Sequence, residues 1–528
     1  MSETKVSTMV YPRLCFAYFL QFSIWGSWAM TLGGYADKVL SLDVGILYTA
    51  IPLAAVSALF IGPIVDRKFA AERVLGVLHL VGGVCLIACA MQKSLTPLLI
   101  LMIMHGVCYM PSMALMNSVV FRHIPNSNNA PKVFVFGTIG WIVVNLFIDI
   151  FCGGALKPNF FYIGGGAAIL LGLYSFTLPH TPPAAQAVEP GQKAGSMFDS
   201  LKMFKDPVFL VFAVCVLCAS IPACGFYFPM GVPLFTERDY PSPVALTTLN
   251  QFSELIFMLA LPFFASKIGL KKCLLLGMGA WALRYFFFMQ SAFSFAILGL
   301  LLHGFCYSFL YVAAYMYADK KSPPAMKASV QGLMAFLLLG LGQVFGSLMV
   351  SYEFAQNPAP FSKIKIASKA DDISLPVWND PNLENSAWKY LNLSATVNGM
   401  LGRPQPPVYH LGEELDENKD NVITKEEIDK VPEEGLKNGV GDDAVTFTKA
   451  DIMDIFGQIA NYVAKKDVPQ SDIDISVSRK DWLAVQMRDW NKILLHPIIV
   501  VVVFLMIFVV LGKDPDAKTK PEEEKTVG

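Results

Sequence analysis

The sequence has few charged residues for its length. Only 16% of its 528 residues are Asp, Glu, Lys or Arg, and 54% are hydrophobic, whereas about 25% of the residues of soluble globular chains are charged. This composition excludes an ordinary soluble protein and predicts a polytopic membrane protein. The formal net charge of -1 provides no basic field that would hold phosphates, so we expect no nucleic-acid partner.

Motifs for enzymatic chemistry are also missing from the sequence. It contains neither a nucleophile-and-base motif nor a phosphate-binding loop, so we predict no enzyme. The ten cysteines lie in or beside apolar segments, and the long polar segment before the last apolar run has none. This placement is typical of small buried side chains and argues against a disulfide or zinc framework.

Twelve apolar segments are long enough to cross a bilayer core of about 30 Å. The first follows Arg13, lacks a small-residue cleavage site and is predicted to be an uncleaved helix. The other eleven lie at residues 44–65, 74–91, 97–118, 133–151, 160–177, 208–235, 245–265, 273–293, 295–317, 328–352 and 493–511. We therefore predict an all-α polytopic membrane protein with twelve transmembrane helices.

A repeated motif divides these helices into two halves. The sequence His-Gly-x-Cys-Tyr occurs at His105 and again at His303, 198 positions later, which predicts two six-helix halves in parallel. The two histidines fit either a proton relay or helix packing with a satisfied imidazole, and packing is the favoured interpretation. The predicted domains are an N-terminal bundle at 1–180, a linker at 181–206, helices seven to eleven at 207–352, a polar insert at 353–492, helix twelve at 493–512 and a tail at 513–528.

Lysine and arginine are concentrated in the loops on one side of the predicted membrane. The loops after spans two, four, eight and ten contain Arg67, Lys68, Arg73, Arg122, Lys132, Lys267, Lys271, Lys272, Lys320, Lys321 and Lys327. By the positive-inside rule these loops and both termini are cytoplasmic, and the insert lies on the opposite side.

One predicted span contains a carboxylate near its middle. Glu254 in such a position costs about 2.5 to 3.5 kcal/mol on insertion scales and normally marks a substrate or proton path. Gln251 lies three residues earlier on the same helical face, and Arg284 is the mid-depth cation of the predicted spans. We predict that these residues serve substrate and proton; a purely structural ion pair between Glu254 and Arg284 is the alternative.

The first span is rich in aromatic and polar side chains, among them Gln21 and Trp25. More of them occur than lipid contact requires, so this face is predicted to line a cavity, with ordinary helix packing as the alternative. The seventh span is interrupted by Pro222, Gly225 and further prolines. Broken helices occur at membrane depth only where protein or water forms hydrogen bonds with the backbone groups freed at the break. This span is therefore either an outer gate or a simple kink.

The loop from Gly62 to Gly76 resembles the signature loop of the major facilitator superfamily. Several stretches of the chain further resemble the nucleoside:proton symporter family of bacterial inner membranes; they include Gln21-Phe22 with Trp25-Gly26-Ser27-Trp28, Gly137-Thr138-Ile139-Gly140, Gln251-Phe252-Ser253-Glu254 and Leu283-Arg284. The resemblance implies alternating access around a central site between two helical domains. It also implies an inner-membrane location, so the topology above places the insert in the periplasm. We expect contact with lipid, no cofactor for transport and a monomer.

The resemblance also implies roles for individual residues. Thr138, Gln251 and Glu254 fall on family positions associated with substrate and proton. The family has an arginine where this chain has Phe134 and polar side chains where it has Pro222 and Gly225. It has an aspartate where this chain has Ser308 and a phenylalanine where it has Trp141. We therefore expect proton-coupled uptake of a nucleoside or a related small polar solute, and a sugar is the alternative.

Residues 416–427 of the insert resemble an EF-hand loop. Asp416, Asn418, Asp420 and Glu427 occupy the first, third, fifth and twelfth positions. Asn421 replaces the usual glycine at the sixth, where asparagine is tolerated in the left-handed region. We expect a small helical module that binds Ca²⁺; a metal-free hairpin of the same shape is the alternative. A membrane receptor or calcium-binding scaffold that uses this insert, without transport, is the alternative function.

Overall fold

The computed structural model of the protein describes residues 10–57, 69–124, 130–182, 200–238, 240–323, 326–361, 365, 415–416, 418, 420–438, 445–465 and 475–515. Several sequence predictions fall outside these residues. They concern the part of the signature loop at 62–68, most of the linker at 183–199, and residues 417 and 419 of the EF-hand-like loop.

Helices make up most of the described chain. The long or membrane-region helices are α1 Val10–Ala29, α2 Val44–Ser57, α3 Ala71–Cys89, α4 Leu95–His123, α5 Ala130–Phe151, α6 Asn159–Ser175, α7 Pro207–Glu237, α8 Pro243–Ile268, α9 Leu270–Met289, α10 Phe293–Lys321 and α11 Ser329–Gln356. The insert contains α12 Lys425–Asp429, α13 Lys449–Ala464 and α14 Arg479–Gln486, and α15 Trp490–Leu511 follows it. Four short strands complete the set: β1 Val422–Thr424, β2 Leu436–Asn438, β3 Val445–Phe447 and β4 Ser476–Ser478.

Within the described residues, nine helices are long and apolar enough to cross a membrane, namely α3, α4, α5, α7 to α11 and α15. The helices α2 and α6 are apolar but shorter. Although α1 has 20 residues, it contains Gln21, Ser23 and Ser27, which are buried among other helices. The coarse prediction of a polytopic helical membrane protein holds, while the count of twelve spans stays a prediction.

The predicted interruption of α7 is a local change of helix type. Residues Ile221–Gly225 form a π-helical turn, and Ala223 has a ψ angle of -112°. The Tyr285 hydroxyl donates to the carbonyl of Ala223 at 3.3 Å and also to that of Pro222, and the Cys224 N–H donates to the Tyr311 hydroxyl at 3.3 Å. Tyrosines of α9 and α10 thus satisfy backbone groups at the break, as a membrane interior requires.

The two predicted halves meet where α2 begins. Asp43 accepts a hydrogen bond from the Ile46 N–H at 2.9 Å and caps α2, while its other oxygen accepts from the Ser351 hydroxyl of α11. The helices approach so closely that a Cβ on Gly45 would lie 2.2 Å from the Ser347 carbonyl oxygen. Glycine at this position therefore permits direct contact between α2 and α11.

The chain divides into two compact units. Unit 1 contains Met1–Pro233, Pro243–Tyr352 and Leu494–Gly528, and unit 2 contains Leu234–Ser242 and Glu353–Ile493. Unit 2 has a hydrophobic core of its own, in which the rings of Phe456 and Trp482 stack 4.9 Å apart.

Unit 2 is not wholly helical, which corrects the prediction for the insert. Its strands β1 and β4 pair antiparallel, with Ile423 opposite Val477, and β2 pairs antiparallel with β3. The strand segments contain Val, Ile, Thr and Phe, which favour extended backbone.

Three of these strands lead into helices through a similar turn. Thr424 and Thr448 form capping boxes with Glu427 and Asp451, and the Ser478 hydroxyl accepts from the Asp481 N–H at 3.1 Å. In each case a hydroxyl or carboxylate pairs with a backbone N–H that the first helical turn leaves free. Residues 422–427, 445–451 and 476–481 are therefore three copies of one strand-to-helix turn.

Glu237 joins two distant segments of unit 2. Its carboxylate accepts from the Trp490 indole N–H at 2.7 Å and from the Arg488 backbone N–H at 2.9 Å, and it pairs with the Arg488 guanidinium. That guanidinium also lies 4.1 Å from the ring centroid of Phe354. These contacts fix the last residue of α7 to the beginning of α15.

Candidate functional site

The closest packing around Glu254 is between α8 and α10. A Cβ on Gly304 would lie 2.1 Å from the carbonyl carbon of Ser253, and the Gly304 N–H donates to the Ser253 hydroxyl at 2.8 Å. This approach places His303 Nε2 4.0 Å from Glu254 Oε2. The Glu254 side chain remains 24% exposed.

Arg284 of α9 lies behind His303 and is fully buried. Its Nε donates to the Gly299 carbonyl at 2.8 Å, and its terminal nitrogens donate to His303 Nδ1 at 3.0 Å and to Asn250 Oδ1 at 3.1 Å. The guanidinium also lies 3.9 Å from the ring centroid of Tyr227, whose hydroxyl accepts from Asn250 Nδ2 at 2.9 Å. Hydrogen bonds and a cation–π contact thus surround the buried charge.

The bond from Arg284 determines which nitrogen of His303 carries the proton. A guanidinium only donates, so His303 Nδ1 must accept, and the ring proton is assigned to Nε2 on the side of Glu254. A separation of 4.0 Å is longer than a hydrogen bond. The contact between His303 and Glu254 is therefore electrostatic.

The alternative of a direct ion pair between Glu254 and Arg284 is not what the structure shows. Within the described residues, the basic side chain that lies within 4.0 Å of Glu254 is His303. The imidazole occupies the space between the two charges because α10 packs closely on α8. From the sequence, helix packing was the favoured role for this histidine. The feature that drew attention to it was the repeat, in which His303 corresponds to His105.

Several buried polar atoms in this half have no partner within the described residues. They include Gln251 Oε1, which belongs to the predicted site, Trp281 Nε1 of α9 and Ser308 Oγ of α10. Buried polar atoms without a hydrogen bond are uncommon in proteins. These atoms are therefore candidates for contact with a bound solute.

The predicted site residue Gln21 lies in a buried network of the N-terminal half. Its Nε2 donates to the Ser112 hydroxyl at 2.9 Å, its Oε1 lies 2.8 Å from His79 Nε2, and its carbonyl accepts from the Tyr109 hydroxyl at 2.7 Å. The Gln21 side chain is fully buried. Its amide is therefore already engaged, and a role in substrate binding stays a prediction.

Trp25 belongs to an aromatic cluster that connects the two halves. Its ring lies 6.2 Å from Tyr109 and 5.7 Å from Trp141, and Trp141 lies 6.5 Å from Phe228 of α7. The predicted residue Thr138 lies one helical turn before Trp141 on α5 and is half-buried. The structure thus places Trp25 and Thr138 near one another, and the Glu254 group lies on other helices.

Three positions that differ from the pattern of the resembled family have structural roles. The ring of Phe134 packs against Tyr18 at 4.9 Å. Pro222 and Gly225 belong to the π-helical turn of α7, and a Cβ on Gly225 would lie 2.8 Å from the Cα of Gln343. Packing, and not polar contact with a solute, therefore explains the residues found here.

The first part of the EF-hand-like loop has the predicted backbone. The Asn421 N–H donates to Asp416 Oδ2 at 3.0 Å, and the Asp420 N–H donates to Asn418 Oδ1 at 2.9 Å. Asn421 has a φ angle of +65°, which is the left-handed conformation predicted for it.

A calcium site does not follow from this turn. Glu427 accepts from the Thr424 N–H and hydroxyl, both at 2.9 Å, as part of the capping box. Within the described residues, no group of three His, Cys, Asp or Glu side chains is placed to hold a metal. The structure therefore does not support the predicted Ca²⁺ ligands Asp416, Asn418, Asp420 and Glu427 as a formed site.

Comparison with known proteins identifies the family. Residues 8–358 match the family model described as nucleoside H+ symporter. The chain belongs to this family. The symporter family model thus covers the membrane helices up to α11 and ends at the beginning of the insert.

Three Escherichia coli (strain K12) proteins are similar in sequence. YegT is 36% identical over 350 residues, which cover 63% of this chain and 82% of YegT. The xanthosine permease is 29% identical over 363 residues, covering 64% of this chain and 86% of the permease. The nucleoside permease NupG is 26% identical over 355 residues, covering 63% and 84%.

Solved structures support the fold. The crystal structure of the nucleoside transporter NupG matches with a TM-score of 0.61 at 22% identity and covers 75% of this chain and 97% of that chain. Membership of the symporter family confirms the prediction of proton-coupled transport at the level of the family and shows a multi-pass membrane transporter and not an enzyme.

Proposed function

We propose that this symporter imports nucleosides together with protons across a bacterial inner membrane by alternating access. Family membership supports coupled transport, and the names of the similar permeases support nucleosides as the solute class. The proposed site residues are Glu254, Gln251, Thr138, Gln21, Trp25 and Arg284. We further propose that the termini are cytoplasmic and the insert periplasmic, which the distribution of lysine and arginine supports.

The observation that carries this proposal is the state of Glu254. It is a carboxylate within a membrane helix, partly exposed, and it faces a neutral imidazole where a direct cation would be expected. A carboxylate that carries a proton must change protonation state during the cycle, and a direct ion pair would oppose that change. The buried charge of Arg284 acts on it only across the His303 ring.

Transport in proteoliposomes tests the function. Purified protein should accumulate labelled purine and pyrimidine nucleosides when a proton gradient is imposed, and labelled pentose should serve as the control solute. Accumulation of the sugar alone would show that the family's solute class has changed. No transport of any solute would favour a receptor or scaffold.

The variant Glu254→Gln separates coupling from binding. The amide mimics the protonated carboxyl at nearly the same volume, so gradient-driven accumulation should fall to background while exchange of nucleoside across the membrane continues. A matched control is Glu237→Gln, since Glu237 is a buried carboxylate of unit 2 outside the proposed site. Gradient-driven uptake by Glu254→Gln at the wild-type rate would contradict the proposed proton site.

A further inference from the structure

We infer that His303 is a positioning residue for proton coupling: it holds the Glu254 carboxylate under the influence of Arg284 while remaining neutral itself. This inference rests on the proposed function, because it assigns a role within the same proton site. The order of groups is guanidinium, imidazole and carboxylate, with 3.0 Å from Arg284 to Nδ1 and 4.0 Å from Nε2 to Glu254.

The hydrogen bonds explain why the imidazole does not carry the proton. Arg284 is permanently charged and donates to Nδ1. To become an imidazolium, His303 would have to give up this acceptor role and bring two positive charges together in a buried site. The other donors of Arg284 are fixed by Gly299 and Asn250, so the guanidinium is held in place to keep the bond.

Glu254 is the proton-exchanging group of this cluster, because the side chains around it keep their protonation state near neutral pH. Among the described residues, the charged or titratable side chains facing this cluster are Arg284 and Tyr285 from α9, His303, Cys306 and Tyr307 from α10, and Cys224 and Tyr227 from α7. Among these neighbours in the described residues, Arg284 alone is charged at neutral pH. The Nε2–H of His303 carries a partial positive charge, and Nε2 lies 4.0 Å from Glu254 Oε2, where this charge stabilises the ionised carboxylate.

The repeat supplies an internal comparison. His105, the counterpart in the N-terminal half, lies with Nδ1 3.1 Å from the carbonyl oxygen of Gly82. A carbonyl only accepts, so Nδ1 of His105 must donate, which is the opposite assignment to His303. Its Nε2 has no partner within the described residues. The same motif thus serves packing in one half and charge placement in the other.

The test is the pH dependence of gradient-driven nucleoside uptake in proteoliposomes. Variants His303→Ala and His303→Phe remove the Nε2–H, and the phenyl ring keeps the volume if the smaller side chain fails to fold. Without the donor, Glu254 keeps its proton to higher pH. The pH of half-maximal uptake should therefore rise by at least about 0.5 unit.

Two controls separate this role from a structural one. In His303→Gln the amide can accept from Arg284 and donate towards Glu254, so uptake should keep the wild-type midpoint. His105→Ala should also keep it, although its melting temperature should fall. Nucleoside exchange should persist in all His303 variants, because a positioning residue acts on coupling through Glu254.

The outcomes distinguish the two claims. If wild-type uptake follows the gradient but His303→Ala and His303→Phe keep the wild-type midpoint, the positioning role is wrong and the proposed function stands. An equal shift in His303→Gln, or loss of exchange in folded His303 variants, would also overturn it. If the wild type shows no gradient-driven uptake, the proposed function fails, and this inference fails with it.

Discussion

At the scale of the residue, the least expected feature is a fully buried arginine that contacts no carboxylate within the described residues. Arg284 is balanced by a carbonyl, an amide oxygen, an imidazole nitrogen and an aromatic face. Such a cation stays charged through the transport cycle. Its constant field can bias a carboxylate that titrates without forming the ion pair that would hold it ionised.

Replacing Arg284 tests how much stability this arrangement contributes. Arg284→Met would leave the Gly299 carbonyl, Asn250 Oδ1 and His303 Nδ1 without their donor. Each buried acceptor left unpaired costs about 1 to 3 kcal/mol, so we expect a markedly lower melting temperature in detergent.

The matched variant is Arg284→Lys. A lysine ammonium keeps the charge but cannot reproduce the planar arrangement of donors, so its melting temperature should lie between those of wild type and Arg284→Met. Equal melting temperatures for all three proteins would show that the hydrogen bonds around Arg284 do not stabilise the fold.

At the scale of the element, the sequence predicted where α7 is interrupted but not how the interruption is satisfied. Pro222 and Gly225 indicate the position, because proline removes an N–H and glycine permits close packing. The hydroxyls that satisfy the break belong to Tyr285 and Tyr311, which lie more than 60 residues later in the chain. Such partners depend on tertiary packing, which local patterns do not encode.

The capping boxes of unit 2 give a second prediction at this scale. Glu427→Ala should lower the free energy of unfolding of unit 2 by about 1 kcal/mol, the usual effect of losing a cap, because Glu427 accepts from the Thr424 N–H and hydroxyl. The measurement is the unfolding of the full chain, followed by tryptophan fluorescence, to which Trp482 in the core of that unit contributes.

The control is Asp451→Ala, which removes the equivalent residue of the Thr448 box. A calcium titration of wild type and Glu427→Ala decides between a cap and a metal ligand. Stabilisation of the wild type alone by millimolar Ca²⁺ would show that Glu427 releases Thr424 to bind the ion, contrary to the arrangement seen here.

At the scale of the whole molecule, composition and the long apolar runs predicted a helical membrane protein, because a chain within a bilayer must satisfy its backbone hydrogen bonds internally. Transport was predicted from Glu254 and from the family resemblance. The count of twelve spans stays a prediction, because α1 carries buried polar residues and α2 and α6 are short. The site was predicted in part. Glu254 and Arg284 were noticed as charges in apolar segments, but their relation through His303 depends on the packing of α8 against α10.

The contact between α2 and α11 gives a prediction about the transport cycle. Asp43 and Ser351 belong to different halves and are hydrogen-bonded to each other, and alternating access requires the halves to separate at one end and then at the other. A short thiol-reactive cross-link between Asp43→Cys and Ser351→Cys should therefore abolish both uptake and exchange. Cleaving the link with a reductant should restore them.

Each single variant, treated with the same reagent, controls for the native cysteines, which are mostly buried among the described residues. A cross-linked protein that still exchanges nucleoside at the uncross-linked rate would show that this contact stays closed throughout the cycle.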